Sequence, residues 1–234
     1  MLEISNFSKV YSNGHVAVDN LNLTVEAGDI YAFIGSNGSG KTSTIKAIVG
    51  IHDFNGEIIV NGKKVSKNNE IYKKDIAYIP DNPDVYENLT GFQYVNFISD
   101  LYEVEKNVRK EKLDYFSNLF EMKAFLSNAI SSYSHGMKQK IVIISAFIHS
   151  PKLLVMDEPF VGLDPKSSYL LKEEMRKLAR GGGAIFFSTH VLEVAEKLCN
   201  KIAMIDNGRL IVEGETTEIL KNEKYYDTCK KSSI

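Results

Sequence analysis

Apolar and polar residues alternate near the N-terminus, a pattern that is typical of half-buried strands. Residues 2–8 and 17–25 both show this alternation. Residues 56–65 predict a hairpin whose turn is Asn61-Gly62, the pair that a two-residue type I′ turn favours. The first part of the chain therefore predicts β-structure.

Continuous apolar runs mark a second group of strands, as expected for strands that are buried on both faces. These runs lie at residues 29–34, 76–80, 152–157, 184–189 and 201–206. Helical periodicity at residues 165–180 and 191–198 separates the last three, and Asn207-Gly208 predicts a hairpin after them. Strands and helices that alternate in this way form βαβ units, so we expect a mostly parallel sheet.

The middle of the chain has a different character, because its apolar positions recur at helical spacing. The predicted helical segments are residues 88–102, 107–120, 124–129 and 134–148. The positions predicted to be buried on the second and fourth of these are Val108, Leu113, Phe116, Phe120, Ile141, Ile144, Ser145 and Ile148. We therefore expect an all-helical insertion at about residues 82–150.

The chain has 234 residues, which suffices for one domain with an insertion. We assign residues 1–81 and 151–222 to an α/β core and residues 82–150 to the helical insertion. Residues 223–234 are polar and lysine-rich without a period, so a frayed tail is expected there.

Composition and charge narrow the functional classes. A net charge of −2 provides no electrostatic case for a nucleic-acid partner, and we expect none. Cys199 and Cys229 lack metal-ligand spacing and suggest a reducing compartment, with Cys199 packing as a small apolar residue on a helix. No apolar run reaches the roughly 18 residues of a membrane span, so we expect a chain that is soluble by itself.

Residues 35–42 read Gly-Ser-Asn-Gly-Ser-Gly-Lys-Thr and match the phosphate-loop pattern G-x-x-x-x-G-K-[ST]. A predicted strand precedes the loop and a predicted helix follows it, so backbone N–H groups and the positive helix end converge on one point. A nucleotide triphosphate suits such a nest, with Lys41 on its β- and γ-phosphates and Thr42 on Mg²⁺. The candidate binding residues are Gly35, Ser36, Asn37, Gly38, Ser39, Gly40, Lys41, Thr42 and Ser43.

The apolar run at residues 152–157 ends in two acids, Asp157 and Glu158. The carboxyl ends of parallel strands face the crevice where α/β sheets bind ligands. Asp157 is predicted to hold Mg²⁺, directly or through water, and Glu158 to orient or deprotonate the attacking water. The alternative is a solvated turn in which one of the two acids caps a helix, and Pro159 suits such a turn.

His190 follows another predicted core strand and is a candidate catalytic residue. Its ring could donate to the γ-phosphate and sense whether that group is present. The alternative is an ordinary surface histidine at a helix start. Five aromatic residues also cluster in the first part of the helical insertion, and most are expected in its core: Tyr86, Phe92, Tyr94, Phe97 and Tyr102.

The phosphate loop, residues 133–137 (Tyr-Ser-His-Gly-Met), residues 152–158, residues 162–164 (Gly-Leu-Asp) and His190 occur in this order. Together they resemble the nucleotide-binding subunit of an ABC transporter over about residues 2–220. The resemblance implies an α/β P-loop NTPase fold of the ABC type. Such a fold has a RecA-like parallel-sheet core, an N-terminal antiparallel β subdomain and an inserted α-helical subdomain that carries the signature.

The resemblance also implies a dimer in which two ATP-binding subunits, identical or closely related, close head to tail around two ATP molecules. Ser134 and Gly136 of one subunit would complete the site on the phosphate loop of the other, and Asp164 would lie at the dimer contact. A second helix N-terminus aimed at the γ-phosphate makes physical sense. Tyr11 would stack on adenine, although a ring that packs on its own hairpin is an equally good interpretation.

Four residues near the site depart from the family pattern. Asp81 stands where the family usually has Gln, and it can ligate Mg²⁺ or accept a hydrogen bond from water but cannot donate. The signature has Tyr133, His135 and Met137 where the family has Leu, Gly and Gln, whereas Ser134 and Gly136 remain. The two Walker segments, the phosphate loop at residues 35–42 and residues 152–158, are unaltered, so we expect a site that can hydrolyse ATP.

The resemblance implies an ATPase that energises a separate membrane permease. The chain would lie at the cytoplasmic face of the cell membrane, and one or two exposed aromatic rings of residues 81–102 would bind the permease. Residues 81–91 are similar to exporter subunits, which favours export over import. Soluble ABC ATPases of DNA repair or ribosomes are disfavoured: too few positions separate Lys41 from Asp157 for a coiled coil, and there is a single cassette. A GTPase is disfavoured because residues 200–203 lack the Asp of an Asn-Lys-x-Asp motif.

Overall fold

Two β-sheets organise the part of the chain that the computed structural model describes, residues 1–221. Their strands are β1 (Leu2–Val10), β2 (Val16–Val25), β3 (Ile30–Ile34), β4 (Asn55–Val60), β5 (Lys63–Lys64), β6 (Ile76–Ile79), β7 (Leu153–Met156), β8 (Ala184–Thr189), β9 (Lys201–Asp206) and β10 (Arg209–Glu215). One sheet has the order β2-β1-β4-β5 and the other has the order β10-β9-β3-β8-β7-β6.

The larger sheet is parallel except at one edge, as the sequence predicts. Strand β3 pairs in parallel with β8 and β9, β7 pairs in parallel with β6 and β8, and only β10 runs antiparallel to its neighbour β9. Every residue of β3, β7 and β8 is buried, which explains why these strands have continuous apolar sequences. In the smaller sheet, β1 runs antiparallel to both β2 and β4, and β4 runs antiparallel to β5.

Both predicted two-residue turns have left-handed backbone at both positions, as a type I′ turn requires. The φ angles are 49° at Asn61 and 74° at Gly62, in the turn between β4 and β5. They are 47° at Asn207 and 76° at Gly208, between β9 and β10. The Asn-Gly pairs in the sequence therefore predict these hairpins correctly.

Helices cover the larger sheet and fill the segment between β6 and β7. They are α1 (Lys41–Ile48), α2 (Gly91–Leu101), α3 (Lys106–Leu119), α4 (His135–Ile148), α5 (Pro165–Arg180), α6 (Leu192–Leu198) and α7 (Thr216–Lys221). Helix α4 packs against α2, α3 and β6. Between β6 and β7, two 3₁₀ turns, Lys123–Phe125 and Ile130–Ser132, take the place of the short helix predicted at residues 124–129.

Of the two predictions about buried helix faces, one is wrong at Val108, and the other is correct at all four positions but incomplete. Val108 was expected on the buried side of α3, but it is exposed, whereas Leu113 and Phe116 are buried. At 100° per residue, five residues place Val108 about 140° around the helix from Leu113. Helix α4 was expected to bury one face, but every residue from Ile141 to Ile148 is buried because the helix has neighbours on several sides.

The aromatic residues of the helical segment are also more exposed than expected. Tyr86, Phe92 and Phe97 are exposed, and Tyr94 alone among the five is fully within the core. Tyr102 is partly buried and stacks on His149 with ring centres 3.6 Å apart. The prediction that most of these rings lie in the core is therefore wrong, because α2 presents one side to solvent.

Smaller differences concern the ends of elements. The 3₁₀ turn Ile71–Asp75 and helix α7 were not predicted. Cys199 is buried as expected, but it lies just past the last residue of α6, with extended backbone. The tail predicted at residues 223–234, with Cys229, lies outside the described residues.

The start of α2 generates a stability prediction. Thr90 Oγ1 accepts a hydrogen bond from the Gln93 N–H at 3.1 Å, and Gln93 Oε1 accepts one from the Thr90 N–H at 2.9 Å, which forms a capping box. Thr90→Ala should therefore lower the free energy of unfolding by about 1 kcal/mol in urea denaturation. Thr90→Ser keeps the oxygen and should stay near the parent value. Equal destabilisation by both variants would contradict the capping role.

Candidate active site

The glycine loop between β3 and α1 lies against strands β2 and β9. A Cβ atom on Gly40, which has a φ of 111°, would lie 2.6 Å from the Ala17 carbonyl oxygen, and one on Gly35 would lie 2.4 Å from the Ile205 carbonyl oxygen. No side chain caps the N-terminus of α1, where the preceding residue is Gly40. The first N–H groups of this helix are therefore available to an anion.

Lys41 occupies the interior of the loop and is only 6% exposed. Its Nζ donates to the Gly35 carbonyl oxygen at 2.7 Å and to the Ser36 carbonyl oxygen at 3.0 Å, and it lies 4.0 Å from Glu158 Oε1. Burial lowers the pKa of Lys41, and the carboxylates of Glu158 and Asp157 oppose that shift. The loop thus holds a desolvated amine beside two acids, ready for an anionic ligand.

Asp157 is buried at the end of β7, and its two oxygens differ. Oδ1 accepts a hydrogen bond from Ser188 Oγ on β8, whereas Oδ2 is buried and has no hydrogen-bond partner among residues 1–221. Neither acid caps a helix within this range, since α5 is capped by Asp164, so the capping alternative for Asp157 and Glu158 is not what the structure shows. A buried carboxylate oxygen without a partner is costly unless something binds it.

Ser188 is a site residue that the sequence analysis missed. Its Oγ donates to Asp157 and accepts from the Glu158 N–H at 3.0 Å, so one hydroxyl orients both acids. The available signal was a polar residue within the otherwise apolar run of β8. Ser188 is fully buried there, and a buried hydroxyl needs partners.

Glu158 and His190 form a pair, in which Nδ1 of the ring lies 2.9 Å from Oε1 of the carboxylate. A neutral ring that donates from Nδ1 has only an acceptor at Nε2, so His190 can donate to a phosphate from Nε2 only as an imidazolium. Glu158 also has a φ of 44°, which is uncommon outside glycine. Such strain is frequent at functional sites.

A magnesium ion fits the residues present. Among residues 1–221, no group of three or more His, Cys, Asp or Glu side chains could hold a metal. Mg²⁺ usually takes one or two carboxylates and completes its shell with water and substrate phosphates. Thr42, Asp81 and Asp157 line one cavity, and the unpaired Oδ2 of Asp157 supplies a free acceptor. Asp81 Oδ1 accepts from the Asn82 N–H at 2.8 Å.

One cavity of about 250 Å³ brings most of the predicted site residues together. It is lined by Tyr11, His15, Ala17, Asn37, Gly38, Gly40, Lys41, Thr42, Ser43, Asp81, Asp157 and Glu158. His15 and Ala17 were not predicted. The remaining loop residues, Gly35, Ser36 and Ser39, do not line the cavity, and the Oγ of Ser39 is buried without a partner within residues 1–221.

Ser134 and Gly136 do not line this cavity. Ser134 caps α4, where its Oγ accepts from the Met137 N–H at 3.3 Å, and a Cβ on Gly136 would lie 3.0 Å from the Gly162 carbonyl oxygen. Asp164 caps α5 and forms an ion pair with Lys140 at 2.9 Å. Hydrogen bonds from Lys140 and Ser167 hold the pKa of Asp164 well below its usual range.

Tyr11 makes contacts that agree with both interpretations of this residue. Its ring is within 13° of parallel to that of His15 in the same turn, and its hydroxyl is 2.9 Å from Ser43 Oγ on α1. The ring therefore packs on its own hairpin, yet it also lines the cavity beside the phosphate loop.

Comparison with known proteins places these features in a family. The family model described as "ABC transporter" matches residues 18–161, more than half of the chain. The ABC-type transporter ATP-binding protein EcsA of Bacillus subtilis is 34% identical, over 94% of this chain and 89% of that protein. The Nod factor export ATP-binding protein I of Cupriavidus metallidurans is also 34% identical, over 95% of this chain and 74% of that protein.

Solved structures agree with this match. One described as the ATP-binding subunit of an ABC transporter has a TM-score of 0.92 and 31% identity, over 98% of this chain and 99% of that one. A dimeric ATP-binding cassette with bound ADP and Pi has a TM-score of 0.83 over 92% of this chain and 99% of that one, and at 21% identity it supports the fold alone. Within residues 1–221, no helix has the length and apolar character needed to cross a membrane.

The family match, the relatives and the solved structures agree with one another and with the two-sheet fold. The chain belongs to the ABC transporter family as an ATP-binding subunit, an ATPase that binds ATP together with Mg²⁺.

Proposed function

We propose that this ATPase energises the movement of a solute, in the export direction, through a separate membrane permease. The observation that carries the proposal is the single cavity shared by the phosphate loop, Asp157 and Glu158. The similarity of residues 81–91 to exporter subunits supports export, as does the relative named for Nod factor export. On this proposal the chain sits at the cytoplasmic face of the cell membrane, held there by the permease.

The cavity groups divide into those that bind phosphate, those that bind Mg²⁺ and one that acts on water. The N–H groups at the start of α1 and the Nζ of Lys41 bind the phosphates, while Thr42, Asp157 and Asp81 hold Mg²⁺. The ion, when bound, neutralises charge on the phosphate oxygens. Glu158 orients and deprotonates the attacking water, and its contact with His190 fixes the direction of its carboxylate.

A second ATP-binding subunit, identical or closely related, completes the site. Ser134 and Gly136 lie at the N-terminus of α4 and outside the cavity, so one chain does not bring the signature to its own nucleotide. A partner subunit arranged head to tail would place its own α4 N-terminus against the γ-phosphate. This arrangement is supported by the exposure of Ser134 and His135.

The permease is proposed to dock near the exposed side of α2. Tyr86 and Phe97 are exposed there and meet edge to face with ring centres 5.5 Å apart. A neighbouring groove is bounded by Ile98, Tyr94 and Asp81. Asp81 also lines the nucleotide cavity, so it borders both. Exposed rings in contact with one another are typical of protein interfaces.

The first prediction concerns the proposed base. Glu158→Gln should retain MgATP binding and lose at least about 100-fold in turnover, because an amide cannot accept the proton from water. Glu193→Gln alters an exposed acid on α6 and should leave both quantities unchanged. Binding is measured by calorimetry and turnover by phosphate release. Normal turnover in Glu158→Gln would remove the proposed base.

The second prediction concerns Ser188. Ser188→Ala should raise the Mg²⁺ concentration for half-maximal turnover by about tenfold, because Asp157 loses the hydroxyl that orients it. Binding of ATP without Mg²⁺ should not change. Ser99→Ala removes another fully buried serine, whose hydroxyl donates only to the Val95 carbonyl oxygen, and serves as the control. If both variants have the same Mg²⁺ dependence, Ser188 has only a structural role.

The third prediction concerns docking. Phe97→Glu and Tyr86→Glu should each reduce the fraction of the chain that sediments with membranes from cells that produce it, because a charge would be buried at the interface. Val108→Glu introduces the same charge at an exposed apolar position on α3 and should sediment normally. Unchanged sedimentation of both ring variants would place the permease contact elsewhere.

A further inference from the structure

The turn between β1 and β2 holds two aromatic side chains beside the nucleotide cavity. The Tyr11 N–H donates to the His15 carbonyl oxygen and the Gly14 N–H donates to the Tyr11 carbonyl oxygen, both at 2.9 Å. The His15 N–H donates to Asn13 Oδ1 at 3.1 Å. These bonds fix the backbone of both aromatic residues, so both side chains leave the same turn on fixed backbone positions.

The two rings lie nearly parallel, within 13°, and their centres are 6.4 Å apart. Carbon atoms in contact are about 3.5–4.0 Å apart, so a planar ring between two parallel faces needs about 7 Å between those faces. Because the two rings are already nearly parallel, movement of one side chain alone would let a planar base contact both rings.

The contacts of the two rings differ: those of Tyr11 hold its ring in place, whereas the ring of His15 is free to move. Tyr11 is held by Ser43 at its hydroxyl, by the edge of His52 at 5.8 Å between ring centres, and by Lys9 Nζ at 5.1 Å from its ring centre. The His15 side chain has no hydrogen bond or ion pair within residues 1–221, and it is exposed. It can therefore move toward a ligand at little cost.

Both rings line the same cavity as Lys41 and Thr42. A ligand whose phosphates lie on the α1 N-terminus would therefore bring its base to this end of the cavity. We propose that His15 is the second wall of the base site and that the adenine of ATP binds between Tyr11 and His15. This inference rests on the proposed nucleotide site, and it assigns to His15 a role in binding the base and none in binding phosphate.

The test compares a ligand with a base and one without. His15→Ala should weaken MgATP binding by about tenfold in calorimetry, the range found for loss of one stacking partner, and leave binding of magnesium triphosphate unchanged. His15→Phe keeps a planar ring and should bind MgATP within about twofold of the parent. In the parent protein, NMR should detect contacts between the adenine protons and the His15 ring.

Val16→Ala is the matched control, because Val16 is an exposed neighbour that does not line the cavity, and it should bind both ligands normally. Parent-like MgATP binding by His15→Ala, or equal weakening of both ligands, would overturn the role of His15. If Tyr11→Ala weakens MgATP while His15→Ala does not, the base stacks on Tyr11 alone. A parent protein that binds neither ligand would instead contradict the nucleotide site itself.

Discussion

The close packing of the phosphate loop against the backbone of β2 and β9 is the constraint on which the site depends. At Gly35 and Gly40 a Cβ atom would overlap carbonyl oxygens of Ile205 and Ala17, so the loop can follow this path only with glycine. The path leaves the N–H groups at the start of α1 without a side-chain cap. A nest for an anion is therefore a consequence of how the loop packs, before any side chain is considered.

The parallel sheet brings the charged groups to that nest. Strands β3, β7 and β8 are adjacent and run in the same direction, so the residues that follow them meet at one edge. The loop follows β3, Asp157 and Glu158 follow β7, and His190 follows β8. The hydroxyl of Ser188 on β8 bonds to both acids that follow β7, and it fixes the acids relative to each other. Burying a polar hydroxyl costs free energy that an apolar side chain at this position would not.

Much of this arrangement could be predicted from the sequence, because the informative signals are local. Apolar runs, Asn-Gly pairs and the glycine spacing identify the strands, the two hairpins and the loop. The role of Ser188 could not be predicted in this way, because its partners lie 30 and 31 positions earlier in the chain and contact it only across a parallel pair of strands. Val108 was misplaced because it lies about 140° around α3 from Leu113 and so does not share its face. The exposed rings of α2 were misplaced because periodicity shows which residues share a face, whereas tertiary packing decides which faces are covered.

The contacts within the site also determine what kind of ligand can bind there. Lys41 already donates to two carbonyl oxygens of the loop, and Glu158 already pairs with His190, so a ligand must replace hydrogen bonds that the protein makes by itself. A neutral ligand would replace the carbonyl acceptors of Lys41 with other uncharged acceptors and gain little. A polyphosphate offers charged acceptors to a desolvated amine and to the α1 N-terminus, where such bonds are stronger. Selectivity for a highly charged anion therefore follows from the internal hydrogen bonds of the site.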